Sequence, residues 1–219
     1  MAGGTSRWAR ALTYMPMCPR SSSRVVKSSL PARSVQDLVA MARKSPGTLN
    51  FGSSGYGNAT HLAGEWFKAK MSLDIVNIPY KGLSEVVTGV LAGQVKFVFG
   101  AIEGVMPHIQ DGQLRPLAVT SEKRFALLPD VPTMIESGVD GFVVSSFEGV
   151  VAPAGTPPAI VAKLNAAINE SVAHPEMRGQ LDRLGATPAT GTPEEFAAFF
   201  AAERSKWEAV VKTAGISID

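Results

Sequence analysis

Apolar positions recur along this chain with two periods, and each switch between them marks an element. Val35, Leu38, Val39 and Ala42 follow the helical period, with Ser34 placed as N-cap and Asp37 three residues on in the capping-box position. Ser45-Pro46-Gly47 ends that helix. Leu49 to Phe51 reads as a short apolar strand end that runs into the loop Gly52-Ser53-Ser54-Gly55-Tyr56-Gly57. Asn58 then opens an amphipathic helix carrying Leu62, Ala63, Trp66 and Phe67. Leu73 to Pro79 predicts a strand, with Tyr80-Lys81-Gly82 as the turn beyond it. Ser84 is placed to cap a helix that buries Val86, Val87, Val90 and Leu91 and stops at Gly93. Val95 to Phe99 and Leu114 to Thr120 predict two more strands, with a short helix around Glu103 to Gln110 between them. Strands alternating with helices at this spacing predict βαβ units, right-handed crossovers and a mostly parallel sheet.

The second half changes character. Ser121 to Gly141, with Pro129, Pro132, Gly138 and Gly141, predicts a connector containing one short helix. Phe142 to Ala152 predicts a long strand. Thr156 is placed to cap a helix with Pro157 at its first position and a buried stripe of Ile160, Val161, Leu164, Ile168 and Val172. A helix from His174-Pro175 through Leu184 follows, and Thr192-Pro193-Glu194-Glu195 caps a last one running to Ala214. That last helix carries Phe196, Phe199, Phe200, Trp207, Val210 and Val211. Three amphipathic helices against one strand is an imbalance, because apolar helix faces need a sheet or partner to cover them.

Composition narrows the function classes. Of 219 residues 45% are hydrophobic, enough for a buried core, and the formal charge of +2 is unevenly placed. Arg7, Arg10, Arg20 and Arg24 fall in the first 24 residues, which contain no acid; the rest carries 17 basic and 19 acidic residues. No nucleic-acid surface is indicated. The single cysteine, Cys18, excludes an internal disulfide, and three scattered histidines predict no metal site. Residues 1–24 read as a poorly ordered leader: the apolar part is short, contains Pro16, and precedes no small-residue cleavage site.

The glycine loop is the strongest chemical feature. A strand, a glycine turn and a helix start together make a receptor for an anion, because free N–H groups and the helix dipole point at the ligand. Nucleotide motifs fit poorly: Gly57 is followed by Asn58-Ala59, not by the Lys and Ser/Thr of a P-loop. A serine hydrolase would use Ser54 as nucleophile with His61, but the second glycine of the elbow is displaced by one residue and no acid is placed to orient the histidine. For His61, a helix-face histidine bonded to a neighbouring polar group is the simpler reading. Tyr80 and Lys81 suit either a ligand contact at the sheet edge or a strand end and its solvated turn. Phe147 suits a cleft wall or a core position. No pair of carboxylates offers acid–base chemistry, so binding without catalysis is the expectation, with no cofactor and no metal. In open α/β sheets ligands sit beyond the carboxyl ends of strands, and Gly52 to Asn58, Tyr80-Lys81 and Gly100-Ala101 all follow strands.

Several motifs occur in order: Ser29-Leu30-Pro31-Ala32, Asn50-Phe51-Gly52-Ser53-Ser54-Gly55, His61-Leu62-Ala63-Gly64-Glu65, Ile78-Pro79-Tyr80-Lys81-Gly82, Leu128-Pro129-Asp130-Val131-Pro132-Thr133, Ala152-Pro153-Ala154-Gly155-Thr156-Pro157 and Gly191-Thr192-Pro193-Glu194-Glu195-Phe196. Over about residues 25–219 the chain closely resembles the substrate-binding proteins of tripartite tricarboxylate transporters, the Bug family. The resemblance implies an α/β, type II periplasmic binding protein-like fold of two lobes, here with the first lobe incomplete. It implies a leader at 1–24, a ligand-binding lobe at 25–120, and a connector plus the C-terminal part of the other lobe at 121–219. It further implies an extracytoplasmic, monomeric receptor that passes a small carboxylated solute to membrane transporter subunits. Ser53, Ser54, Gly55 and Gly57 match the loop that grips a carboxylate in that family. Asn58 stands where Thr or Ser is expected, Tyr56 where a smaller or polar residue is usual, Gly100 where many relatives have Asp, and Phe147 where Trp is frequent. Ser53, Ser54, Gly55, Tyr56, Gly57, Asn58, His61, Tyr80, Gly100, Ala101 and Phe147 are thus the expected ligand residues. An export signal, the opening strands of the first lobe and a Pro-Pro-Gly-Gly loop are not found, so truncation is expected. A chain without the signal would stay in the cytoplasm, and one without the opposing loop would bind weakly or have no independent role.

Overall fold

Four consecutive residues, Phe97 to Gly100, are buried, as only a strand covered on both faces requires. The computed structural model describes residues 30–153, 155–183, 186 and 188–216, together with the backbone course of 13–27. Its elements are β1 (Thr13–Lys27), α1 (Val35–Lys44), β2 (Asn50–Ser53), α2 (Ala59–Met71), β3 (Val76–Pro79), α3 (Leu83–Ala92), β4 (Phe97–Ala101), α4 (Ile102–Gln110), β5 (Leu114–Val119), β6 (Ser145–Ala152), α5 (Pro158–Ala173), α6 (Pro175–Arg183) and α7 (Pro193–Ala214). The chain divides into two units, Arg20–Ser146 with the residues from Glu208 onward, and Phe147–Trp207 with the residues up to Pro19.

In the larger unit the strand order is β3-β2-β4-β1-β5. β2 runs parallel to β3 and to β4, so the three carboxyl ends lie on one edge. Side chains alternate across the sheet. Phe51, Phe97 and Phe99 face α2, where Phe51 stacks on Phe97 at 5.7 Å and Phe67 meets Phe99 at 6.0 Å between ring centroids. On the opposite face Val98 joins Val86, Val87 and Val90 of α3, Val95 just before β4, Val105 of α4 and Leu114 of β5. Burial of these apolar side chains, at about 1.5–3 kcal/mol each, holds the sheet and its helices together.

β1 runs through part of the segment expected as a leader. Residues 13–24 belong to a strand, and Ser22 to Val26 pair antiparallel with β4 while Ser23 to Lys27 pair antiparallel with β5. The sheet is therefore mixed, parallel at β3-β2-β4 and antiparallel around β1. A run rich in Ser and Arg shows no period-2 apolar pattern, whereas a strand between two neighbours is held by backbone hydrogen bonds that almost any residue can make. The expected leader's residues 1–12 lie outside the described residues.

The segment after residue 120, expected as a connector, makes backbone bonds to β5. Met134 N–H donates to Val119 O at 2.8 Å and Val144 N–H to Thr120 O at 2.9 Å, so the connector is stitched to the end of β5. Phe142 is fully buried and packs on Trp66 at 4.5 Å and on Phe99 at 5.7 Å. In place of the expected connector helix there are turns. Thr133 and Glu136 bond reciprocally there, N–H to side chain in each direction, at 2.8 and 3.0 Å.

Most helix caps follow the sequence. Ser34 and Asp37 form the capping box, and Gly93 ends α3 in the left-handed conformation at φ 79°. Two starts differ: Gly82, not Ser84, is the N-cap of α3, and Pro157, not Thr156, precedes α5. Thr156 Oγ1 instead donates to Pro153 O at 2.8 Å.

In the smaller unit Val172, Leu181 and Ala186 form a cluster with Ile168 against it. Asn169 pairs with the Gly191 peptide in both directions, Nδ2 to O at 2.9 Å and N–H to Oδ1 at 3.2 Å, which fixes the entry to α7. Of the stripe expected on α5, Val172 is buried, Ile168 and Val161 are half-buried, and Ile160 and Leu164 are exposed. This is the physical counterpart of the shortage of strands noted in the sequence.

Candidate functional site

The edge formed by the carboxyl ends of β2, β3 and β4 is followed in each case by a helix start. Three helix N-termini, those of α2, α3 and α4, therefore open on the same edge of the parallel part of the sheet. Neither Gly82 before α3 nor Ala101 before α4 supplies a side-chain cap. The N–H groups of their first turns point toward that edge, where Glu85 and Glu103 lie on the same first turns and Lys81 in the turn after β3.

The loop after β2 is fastened from the first turn of α2. Gly55 at φ +111° and Gly57 at φ +71° take backbone conformations that residues with a Cβ rarely adopt. Asn58 Oδ1 accepts the Thr60 N–H at 2.9 Å, the standard N-cap bond. Thr60 Oγ1 receives the Ser54 N–H at 2.8 Å and lies 3.0 Å from Ser54 Oγ. His61 Nδ1 receives the Gly57 N–H at 3.1 Å. One helical turn thus ties down three points of the loop. Thr60 was not singled out by the sequence, although a hydroxyl two residues past an Asn N-cap sits where it can reach back over the loop.

Ser53 is fully buried at the end of β2, and among the described residues its Oγ has no hydrogen-bond partner. Its backbone carbonyl accepts the Tyr80 N–H at 2.8 Å, which brings the β3 turn beside it. The Tyr80 ring folds over Gly52 and Gly89. A Cβ on Gly89 would come within 2.5 Å of the Tyr80 hydroxyl, which itself lies 3.4 Å from Gln94 Oε1. Lys81 is exposed, with its N–H donating to Glu85 Oε2 at 3.2 Å.

His61 is only 4% exposed, and burial lowers its pKa, with Glu65 pulling upward and Lys68 downward. Because Nδ1 accepts from Gly57, the neutral ring carries its proton on Nε2. Tyr56 is 66% exposed and meets the His61 ring edge-on at 5.3 Å. Ser54 bonds to Thr60 and His61 to Gly57, and no hydrogen bond joins the two, so this pair lacks the nucleophile–base contact that hydrolysis needs. Among the described residues, no group of His, Cys, Asp or Glu could hold a metal, and no helix is long and apolar enough to cross a membrane.

Gly100 and Ala101 end β4 beside the same edge. A Cβ at Gly100 would come within 2.9 Å of Val105 Cγ1, so the room an Asp would need is occupied by α4. Phe147 belongs to the smaller unit, where its ring packs edge-on against Phe199 at 5.0 Å and against Phe196 and Phe200 at 6.0 and 6.1 Å. The structure therefore groups ten of the eleven expected residues in one unit and leaves Phe147 in the other.

Comparison with known proteins adds an independent line. Residues 7–216 match the family described as tripartite tricarboxylate transporter family receptor, so the match reaches into the segment expected to be an unmatched leader. Protein BugT of Bordetella pertussis is 35% identical over 194 residues, covering 89% of this chain and 60% of BugT. Among solved structures, Rpa4515 of R. palustris with adipate superposes with a TM-score of 0.88 at 35% identity, covering 95% of this chain and 70% of that one. MatC of Rhodopseudomonas palustris with bound malate gives 0.82 at 26% identity, covering 91% and 69%. The chain thus spans about three fifths of the length of BugT.

Proposed function

This chain belongs to the tripartite tricarboxylate transporter receptor family, and from that membership we propose that it binds a small carboxylated solute at the glycine loop for delivery to a membrane transporter. The fold is that of the family's binding proteins. The observation that carries the reading is the buried Ser53 hydroxyl without a partner, at an edge onto which three helix N-termini open. Burying a hydroxyl without a hydrogen bond costs about 1–3 kcal/mol, and a ligand oxygen removes that cost. Ser53 and the Asn58 amide supply donors, Gly55 and Gly57 let the backbone approach, and His61 and Thr60 hold the loop in shape. Tyr80, Gly100 and Ala101 border the edge. Relatives solved with adipate and with malate support an acyclic dicarboxylate as the ligand class.

Binding without turnover is the proposed activity, in keeping with family and fold. The family's place outside the cytoplasmic membrane is proposed for this chain too, with transporter subunits as its partners. Because one loop edge offers only a few donors, we expect affinity near millimolar for this 219-residue chain, about −4 kcal/mol. Titration of the ¹⁵N-labelled chain with adipate and with malate tests this. Saturable shifts at Ser53, Ser54 and Gly57 that vanish in Ser53→Ala are expected. Saturable shifts confined to residues outside 52–61 would refute the assignment of the site.

A further inference from the structure

We propose that Thr60 fixes the direction of the proton at Ser54, making that shoulder of the loop an acceptor, so that the site prefers carboxylates bearing a neighbouring hydroxyl or amino donor. The proposal rests on the carboxylate reading of the loop given above and concerns a residue which that reading treats only as a support.

The argument is one of counting hydrogens. A threonine hydroxyl has one hydrogen and two lone pairs. Asn58 Oδ1 is identified as the amide oxygen because it accepts the Thr60 N–H at 2.9 Å, and it lies 3.2 Å from Thr60 Oγ1. An amide oxygen only accepts, whereas either hydroxyl can donate across the Ser54–Thr60 contact, so only with the Thr60 hydrogen on Asn58 Oδ1 are both contacts hydrogen bonds. The Ser54 N–H only donates, and at 2.8 Å it occupies one lone pair of Thr60 Oγ1. The remaining lone pair receives the Ser54 hydroxyl hydrogen across 3.0 Å. Ser54 Oγ is left with lone pairs and no hydrogen to offer.

Its neighbour is in the opposite state. Ser53 Oγ has no partner among the described residues, so its hydrogen is uncommitted, and the Asn58 oxygen is engaged at the cap while its amide nitrogen meets no acceptor among the described residues. A carboxylate, which only accepts, suits Ser53 and Asn58 and is mismatched to Ser54. A hydroxyl or ammonium group on the adjoining carbon supplies the hydrogen that Ser54 lacks.

L-Malate and succinate have the same carbon chain and differ by one hydroxyl, so amide-shift titrations of the full chain with each isolate this contact. Malate is expected to bind about five- to tenfold more tightly, the value of one hydrogen bond. Thr60→Val keeps the shape but removes Oγ1 and frees the Ser54 hydrogen; the two acids should then bind within about twofold of each other. Thr60→Ser should restore the preference, which a purely steric role for Thr60 would not require. Equal affinities in the wild type, or a preference that survives Thr60→Val, overturn the proposal. If neither acid gives a saturable shift, the carboxylate reading fails and the selectivity claim fails with it. The hub itself is read without ligand, by hydrogen exchange of the Ser54 amide. Slow exchange in the wild type and in Thr60→Ser is expected, and fast exchange in the wild type overturns the assignment whether or not Thr60→Val folds.

Discussion

Replacing Gly64 by Ala sets two effects of known size against each other. Within a helix this substitution is favourable by about 1 kcal/mol, because alanine has the higher helix propensity. Gly64 lies in α2, yet a Cβ there would come under 3.0 Å from three carbons of the Phe51 ring. Phe51 is fully buried and stacked on Phe97 at 5.7 Å, so its ring has no free volume to enter. Overpacking of this kind costs about 1–3 kcal/mol, and contact with three ring atoms places it at the upper end. The net expectation is destabilisation of about 2 kcal/mol, read as a fall in Tm of about 4–8 °C for a chain of this size. A double-mutant cycle with Phe51→Leu, which removes the ring, separates packing from other causes. If the clash is the cause, the double variant will be more stable than the sum of the single effects by at least about 1 kcal/mol. Urea denaturation of the four proteins supplies the numbers. A Gly64→Ala protein as stable as the wild type, or effects additive to within about 0.5 kcal/mol, would refute the reasoning. The same lesion should reach the ligand loop, since α2 carries Asn58, Thr60 and His61 at its start.

Three further outcomes follow from the same structure. Burial holds the folded-state pKa of His61 below its ordinary 6.5, so the unfolded chain takes up the proton first. Its contribution to stability is full above pH 6.5 and declines as the pH falls from there toward the folded-state pKa; in urea titrations between pH 7.5 and 5, His61→Asn should flatten that decline. Asn169→Ala would strip the Gly191 N–H of its acceptor and leave the Gly191 carbonyl with Asn165 Nδ2 as its side-chain donor, with an expected loss of about 1–3 kcal/mol and faster exchange of the Gly191 amide. Ser34→Ala removes the hydroxyl that accepts the Asp37 N–H at 3.0 Å and should cost about 1 kcal/mol by the same denaturation assay, while Ser34→Asp, which keeps an acceptor, should retain most of it.

Local chemistry was legible in the sequence because it repeats at short range. The periods of Val35 to Ala42 and of Val86 to Leu91, the Ser34 and Thr192 caps, the Gly93 stop and the Asn58 helix start each depend on residues within one or two turns. The build of the glycine loop was legible for the same reason: strand, glycines and N-cap are contiguous. Its helical supports were only half visible. His61 attracted notice as a titratable group, but its bond to Gly57, and the three bonds that make Thr60 a hub, depend on how the loop folds back over the first turn of α2.

Tertiary structure alone decided what lies beside what. β1 has no apolar rhythm, and pairing with neighbouring strands, β4 and β5 among them, makes it a strand. The connector joined the larger unit because Phe142 found Trp66 and Phe99, residues more than 40 positions away, while on α5 Val172 was buried and Ile160 and Leu164 stayed exposed. Hydrophobic period reports that a face wants burial but not which surface provides it. Hydrogen-bond direction at Ser54 is a consequence of the same kind: the residue types were in the sequence, and the counting of donors against acceptors became possible only once the fold had set Asn58, Thr60 and Ser54 within reach of one another.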